Sequence, residues 1–446
     1  MDTDAFKELL ASGTPRVTVV GGGYVGLPLA VAAAQAGCKV TILDVDKAKV
    51  DAINAGESYI GDVPSARLAY FVHERRLLHA TTAPSSAYAG AHAVLICVPT
   101  PLQLSREPDL SLVNSALRPL NIHLSTTNDP VLVVLESTVY PGFTREEVHG
   151  RLGVVEGTHT VHVAFSPERV DPMSRAYGIT NTPKVVGGID RDSTEVACAL
   201  YRRFVERVVP VSSSDAAELV KLLENTYRAV NIALANEFAI AAESLGIDIW
   251  EVIDAAATKP FGFQKFVPGC GVGGHCIPDD PPYLSWKMRA LGQEMRLLNT
   301  AMQLNREMPH YAVRRLTGLL NDGGRCLKGS RILVVGVAYK PDVSDTRESP
   351  ALDIIRELEH MGSLVTYLDP HVPSLEHEGL KTSAVDEAYV ALLNSESCRF
   401  DAAIIATGHN GVDYAKLCNS APIVLDTRGV TRGLAGISPA TRVVTL

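Results

Sequence analysis

Residues 271–281 read GVGGHCIPDDP, which sets Cys276 behind two glycines and a histidine, with the carboxylate of Asp280 four residues further on. No polar or apolar period marks a buried strand here. A nucleophilic cysteine needs an exposed backbone turn, room for a substrate, and neighbours that favour thiolate over thiol. The glycines give the room, and Asp280 can hold a proton carrier. On this stretch alone two other readings stay open. One is a structural free cysteine in a Gly/Pro-rich loop. The other, with Cys270, His275 and Cys276 as metal ligands, is weakened because tetrahedral sites usually join one C-x2-C unit to a second pair; no metal is expected.

A second constellation lies near the N-terminus. The β-branched run RVTVV (16–20) leads into GGGYVGLPLAVAAAQAG, where Gly21, Gly23 and Gly26 fit G-x-G-x-x-G around Tyr24 and Val25; a strand-like KVTILD then closes on Asp44, 18 residues past Gly26. Strand, glycine turn, helix, strand and acid stand in the order of a dinucleotide fold. The glycines permit a tight turn and let a pyrophosphate approach helix N–H groups. Asp44 accepting from the adenosine ribose favours NAD over NADP, whose 2′-phosphate it repels, and Lys49 tempers that preference slightly. The bland alternative is a βα turn with no cofactor. Elsewhere, Lys221 and Asn225 are four apart and stack on one helix face, which for a lone lysine most often means solvated decoration. A charged loop carrying Lys340, Asp342, Asp345, Arg347 and Glu348 sits where a phosphorylated ligand would dock.

These residues require a particular scaffold. With 446 residues the chain is too long for one ordinary core and suggests two or three domains. AVLICVP (93–99) and PVLVVLEST (130–138) are continuous apolar runs of the kind buried on both faces of a parallel sheet. Each ends in polar or turn residues, Thr100 in one and Thr138 in the other, and VHVAFSPERV ends likewise at Glu168 and Arg169. Such strand ends face the ligand crevice of open α/β sheets. Residues 215–245 give the longest helical pattern, with Asp215 and Glu218 as a capping start and Leu219, Leu223, Val230, Leu234 and Phe238 stepping by fours and one seven, the sum of three and four. It is expected to bridge domains and to offer a dimer face. A further helical region follows at 283–321. SRILVVGVAYKPDVSDTRESPALDIIRELEHMG then restarts strand, glycine turn and helix, with later strands in SLVTYLDP, DAAIIATG and PIVLDTRG. The expected fold is α/β: two Rossmann-like doubly wound domains, 1–210 and 323–446, joined by a long central helix and a helical domain, 211–322.

Hydrophobic content of 46% and charged content of 20% are those of a globular protein. A net charge of −9 argues against a nucleic-acid surface, yet local cations and helix N-termini can still hold a phosphate. No apolar run approaches the ~20 residues that cross a bilayer, so no membrane partner is expected. The start MDTDAFKELL lacks the basic-then-apolar form of a secretory signal, and eight cysteines without framework spacing read as reduced thiols. The expected location is the cytoplasm.

An NAD half, a candidate thiol and a second α/β half suit the onward oxidation of an aldehyde to an acid. Thiolate attack gives a thiohemiacetal, hydride transfer to NAD gives a thioester, and water releases the acid. The motifs VVGGGYVGLPLA, VPTP, LESTVYPG, SPERV, ELVKLLENTYRAVNIALANE, PGCGVGGHCIPDDP and AYKPDVSDTRESPA together resemble the UDP-glucose/GDP-mannose dehydrogenase family over about residues 14–440. The resemblance implies NAD-dependent oxidation of a nucleotide sugar's C6 alcohol to a carboxylate, with two NAD consumed. It implies Cys276 as nucleophile with Asp280 beside it, Lys221 and Asn225 stabilising the oxyanion and positioning water, Glu168 as acid/base, and Thr138 holding water. It thereby overturns the decorative reading of Lys221. For NAD it implies Gly21, Gly23, Tyr24, Val25, Gly26, Asp44, Lys49, Thr100, Thr138 and Arg347. For the nucleotide sugar it implies Glu168, Arg169, Lys221, Asn225, Tyr339, Lys340 and the loop 263–271 with Phe263 and Phe266, extended to Gly273. SPERV, GGHC and the FGF-containing loop resemble the UDP-N-acetylhexosamine branch, notably UDP-N-acetylglucosamine 6-dehydrogenases. Cys270 and Asp279 depart from that branch. UDP-N-acetylmannosamine, UDP-N-acetylgalactosamine and UDP-glucose are the alternatives, with a non-catalytic NAD- and nucleotide-sugar-binding module more remote.

Overall fold

The structure, a computed structural model, describes residues 1–103, 105–152, 161–170, 176–375, 383–384 and 400–446. The chain forms two compact units, Met1–Glu224 with Pro282–Gln293, and Asn225–Pro281 with Glu294–Leu446.

The first unit is built on eight strands: β1 (Arg16–Val20), β2 (Lys39–Leu43), β3 (Leu78–Thr81), β4 (Ala93–Ile96), β5 (Val131–Leu135), β6 (Val161–Phe165), β7 (Lys184–Gly188) and β8 (Val208–Pro210). Their order across the sheet is β3-β2-β1-β4-β5-β6-β7-β8. All neighbours run parallel except β6 and β7, which pair antiparallel through Ala164↔Gly188 and Phe165↔Gly187. The apolar runs of β4 and β5 are buried along their whole length, because helices cover both faces of a doubly wound sheet. Helices α1 (Thr3–Ser12), α2 (Gly26–Gln35), α3 (Lys47–Ala55), α4 (Ser65–Ala69), α5 (Pro84–Tyr88), α6 (Ser111–Leu124) and α7 (Arg191–Tyr201) accompany this sheet. The Ala-rich α2 is almost entirely buried, its small side chains letting it lie close to the strands.

The long helix α8 (Ser214–Leu245) runs from the first unit into the second, followed by α9 (Ile249–Ala256), α10 (Cys276–Ala290) and α11 (Arg296–Asp322). Two expectations, the capping start and the helix start near 283, are corrected here. The start of α8 is not a capping box: the Ala216 N–H is taken by Ser213 Oγ at 3.1 Å, Asp215 pairs with Arg145, and Glu218 reaches out to the Gly142 and Thr144 N–H groups at 2.6 and 2.8 Å. Helix resumes at Cys276 rather than near 283, so the cysteine heads a helix instead of sitting inside a loop. The leucine and phenylalanine stripe of α8 is not its buried face. Leu219, Leu223, Leu234 and Phe238 are 43–64% exposed, whereas Ala217, Leu222, Asn225, Ala229 and Asn236 are buried.

The second unit carries a six-stranded sheet of β9 (Arg331–Val335), β10 (Leu364–Leu368), β11 (Ser383–Ala384), β12 (Ala402–Ile405), β13 (Ile423–Asp426) and β14 (Arg442–Thr445), ordered β11-β10-β9-β12-β13-β14 and parallel throughout. With α12 (Pro350–His360) it repeats the inner wiring of the first sheet. In each, a positive-φ glycine after the first strand, Gly21 or Gly336, donates to the last residue of the second, Leu43 or Leu368, at 2.8 Å. An acid just beyond that strand, Asp44 or Asp369, accepts N–H groups of the same turn. Each unit therefore presents a ligand-binding switch point at the C-terminal strand ends.

Candidate active site

In the first unit the switch point lies between β1 and β4. A side chain at Gly21 would press the Cys97 carbonyl at 2.9 Å, and one at Gly26 would fall 1.8 Å from the Gly21 carbonyl. At Gly23 nothing lies within 4 Å. The turn is thus as tight as hydrogen allows on the inside and open where a pyrophosphate would lie. Tyr24 is exposed, and Val25 precedes the first residue of α2. Asp44 is buried and accepts from Gly22 N at 2.7 Å and Asp46 N at 2.9 Å, while the Tyr59 hydroxyl donates to the Gly22 carbonyl at 2.5 Å. Lys49 lies on α3, Thr100 follows β4 with its carbonyl taken by Tyr283 at 2.8 Å, and Thr138 follows β5. These residues fit a bound dinucleotide. Arg347 belongs to the second unit, where it is doubly bonded to Asp345.

Beyond β6, Glu168 is gripped on several sides. Its Oε1 accepts the Arg169 and Val170 N–H groups, each at 2.7 Å, and its carbonyl accepts Lys221 Nζ at 2.6 Å. Burial pushes this carboxyl up, but Lys184, the two N–H groups and Lys221 outweigh it and hold it below the usual range. Arg169 turns away, to Glu224 at 2.5 Å and the Pro183 carbonyl at 2.7 Å. Lys184 and Glu136, absent from the sequence reading, lie buried behind Glu168. Their signal was a charge inside each of two otherwise apolar strand segments, LVVLEST and KVVGG.

In the second unit Cys276 is exposed at the head of α10, the end of a helix whose dipole favours negative charge. Asp280 is one turn on, buried, and accepts from Asn225 Nδ2 at 2.5 Å; Asn225 Oδ1 accepts Arg228 Nη2 at 2.6 Å. The structure therefore gathers Cys276, Asp280 and Asn225. It does not assemble Cys270, His275 and Cys276 as ligands: Cys270 is sealed in the core against the Ala406 carbonyl. The one candidate ligand cluster among the described residues is Asp342, His371 and His409. There, His409 Nδ1 already accepts Asp342 N at 3.0 Å, and Nε2 donates to Asp369 at 2.9 Å.

The glycines before Cys276 serve a close approach. A Cβ at Gly273 would meet the Glu348 carbonyl at 2.5 Å and Tyr339 at 2.9 Å, and one at Gly274 would meet the Tyr339 ring at 2.8 Å. Gly274 N donates to the Arg347 carbonyl at 3.0 Å. The thiol segment thus lies flush on the loop of Tyr339 and Lys340, both half-buried. That loop is tied at its base by Asp369, which accepts Val337 N and Ala338 N at 2.7 and 3.0 Å, and beyond Lys340 by His409. Phe263 is exposed, and Phe266 packs edge-on against Tyr227.

A glycine-turn dinucleotide sheet, an exposed thiol at a helix head and a second sheet with a clamped basic loop define a nicotinamide-dependent dehydrogenase. Residues 15–205, 215–307 and 333–433 match the NAD binding, central and UDP binding domains of the UDP-glucose/GDP-mannose dehydrogenase family, and the chain belongs to that family. It is 32% identical over 428 residues, 93% of each chain, to a UDP-N-acetyl-D-mannosamine dehydrogenase of Methanococcus maripaludis. Its fold is similar to a UDP-D-ManNAc dehydrogenase from Pyrococcus horikoshii (TM-score 0.83, 31% identity, covering 96% of this chain and 98% of the other). It is also similar to a UDP-glucose dehydrogenase from Pyrobaculum islandicum (TM-score 0.82, 28% identity, 93% and 94%). The protein is an NAD-dependent oxidoreductase of the UDP-sugar dehydrogenase family.

Proposed function

We infer that this enzyme oxidises the C6 alcohol of a UDP-N-acetylhexosamine to a carboxylate, reducing two NAD per sugar, with Cys276 as nucleophile. The observation carrying this is the exposed Cys276 sulfur at the head of α10, one turn from an Asp280 held by Asn225. NAD, when bound, accepts the hydride in both oxidations. After the first, the Cys276 thiolate adds to the aldehyde carbon, and Lys221 and Asn225 stabilise the oxyanion, an effect typically worth ~10²–10³ in rate. Glu168 then takes a proton from water, held with Thr138, as the water oxygen bonds to the acyl carbon of the thioester. The carbon–sulfur bond breaks with its electron pair returning to Cys276.

The relatives' names support UDP-N-acetylmannosamine better than the UDP-N-acetylglucosamine favoured by the motifs alone, and we place it first. The working regions are 1–210 for NAD, 211–322 for the thiol and central helix, and 323–446 for the nucleotide, with Tyr339 and Lys340 on the uridine diphosphate. The exposed stripe of α8 supports a homodimer through the central helix, and seven described cysteines outside any disulfide support a cytoplasmic location. Among the described residues no helix is long and apolar enough to cross a membrane. The test is NADH yield per sugar across UDP-N-acetylmannosamine, UDP-N-acetylglucosamine, UDP-N-acetylgalactosamine and UDP-glucose. Two equivalents and an acidic product are expected with the first, and loss of overall turnover to the acid with Cys276→Ala. One equivalent, or an unimpaired variant, would remove the thiol from the chemistry.

A further inference from the structure

Two buried charges and a half-buried one lie side by side at the ends of β5, β6 and β7. Lys184 Nζ lies 2.7 Å from Glu136 Oε2 and 3.5 Å from Glu168 Oε2, and the side chains of Lys184 and Glu136 are 5% and 0% exposed. The other Glu136 oxygen accepts the Tyr201 hydroxyl, and the Tyr201 ring lies 5.2 Å beneath Lys184 Nζ. Burying such ions costs several kcal/mol each, and well-packed apolar residues would often serve stability as well or better. Stability alone therefore does not account for them. The two contacts of Lys184 are unequal. Its ammonium sits close against the sealed carboxylate, Glu136, and stands off from the carboxylate at the mouth of the cluster, Glu168.

We propose that Glu136 and Lys184 are a positioning pair for Glu168: Lys184 keeps that carboxylate ionised and fixed, while Glu136 holds the ammonium back so that the carboxylate stays basic enough to take a proton from water. An ammonium in full contact with Glu168 would make it a weaker base; no ammonium at all would leave it protonated in its buried place. The other groups facing the cluster are Lys221 from α8, whose ammonium donates one hydrogen bond to the Glu168 carbonyl and helps hold the Glu168 carboxyl down, Cys97 beyond β4, and Tyr201 from α7. Arg169 is drawn off to Glu224. Burial raises the Cys97 thiol far above its ordinary range, so it stays neutral, while the Glu136 and Glu168 carboxylates overcome burial to keep Lys184 protonated.

The proposal rests on Glu168 being the base for thioester hydrolysis, and the experiment separates the two claims. The pH dependence of kcat would be measured on the full chain with NAD and UDP-N-acetylmannosamine for Glu136→Gln, Lys184→Met, the double variant, and Glu168→Gln. Glu136→Gln is expected to move the acidic limb to lower pH and depress the plateau. Lys184→Met is expected to move it to higher pH, with about tenfold loss for each unit of displacement at a pH acid to both limbs. The double variant, free of unpaired buried charge, should also move it upward, and it remains informative if a single variant folds poorly. Should Glu168→Gln stall while these limbs stay in place, the pair is structural and the inference falls alone. Should Glu168→Gln turn over normally, the reading of Glu168 falls and takes the inference with it.

Discussion

Asp44 shows how one carboxylate can serve two ends at once. Its oxygens already accept Gly22 N and Asp46 N, which fixes the turn and leaves lone pairs for a ribose. Asp44→Asn keeps an acceptor and loses the charge. The kcat/KM preference for NAD over NADP should therefore narrow about tenfold or more, since a hydrogen bond to a charged group is worth ~1.5–3 kcal/mol. Competition kinetics with both cofactors would show it, and an unchanged preference would leave the ribose role unsupported. Asp44 and Cys276 were legible in the sequence as candidate site residues because each stands close to a glycine motif. Lys184 and Glu136 were not, because they are 48 residues apart and only the β5-β6-β7 order brings them together. Lys221 was legible as a helix position but not as a group aimed at the Glu168 carbonyl.

At the scale of elements, the glycine turn separates two effects that one motif hides. Gly26→Ala places a methyl group inside the Gly21 carbonyl's contact distance, an overpacking expected to cost ~1–3 kcal/mol or more and to lower the thermal midpoint. Gly23→Ala meets nothing in the protein, so the midpoint should hold while NAD affinity falls, because the methyl takes cofactor space. Equal effects of the two substitutions, read by thermal melts and NAD titration, would contradict this division. Strand runs and the glycine fingerprint were plain from residue types alone. The antiparallel β7 was not, since a short segment such as KVVGG carries no mark of direction. The helical period of residues 215–245 was also plain, but a period names a stripe without saying what covers it. The face buried in the fold proved to be the one rich in alanine, with Asn225 and Asn236 bonded within it.

For the whole molecule, that uncovered stripe sets the expected assembly. Leu219, Leu223, Leu234 and Phe238 leave a row of large apolar side chains in water along one helix, more than scattered single residues would explain. In the proposed homodimer a second copy of the same helix covers it symmetrically. Light scattering after size exclusion should give twice the chain mass for the native protein and the single-chain mass for Leu223→Glu with Phe238→Glu. A native protein of single-chain mass would leave the stripe to another partner. The two sheets of the fold, parallel but for the β6–β7 pair, were foreseen from the repeated strand, turn and helix pattern; their matching acid-to-turn bonds emerged only from the structure.

The fit of Gly273 and Gly274 against Tyr339 has a bearing on how such a chain changes over generations. With only hydrogen between the backbone of one segment and the ring of the other, neither can drift alone. A side chain at 273 meets the Glu348 carbonyl whatever stands at 339, but one at 274 meets the ring itself, so a homologue that has altered Gly274 should carry the trace of that change at 339.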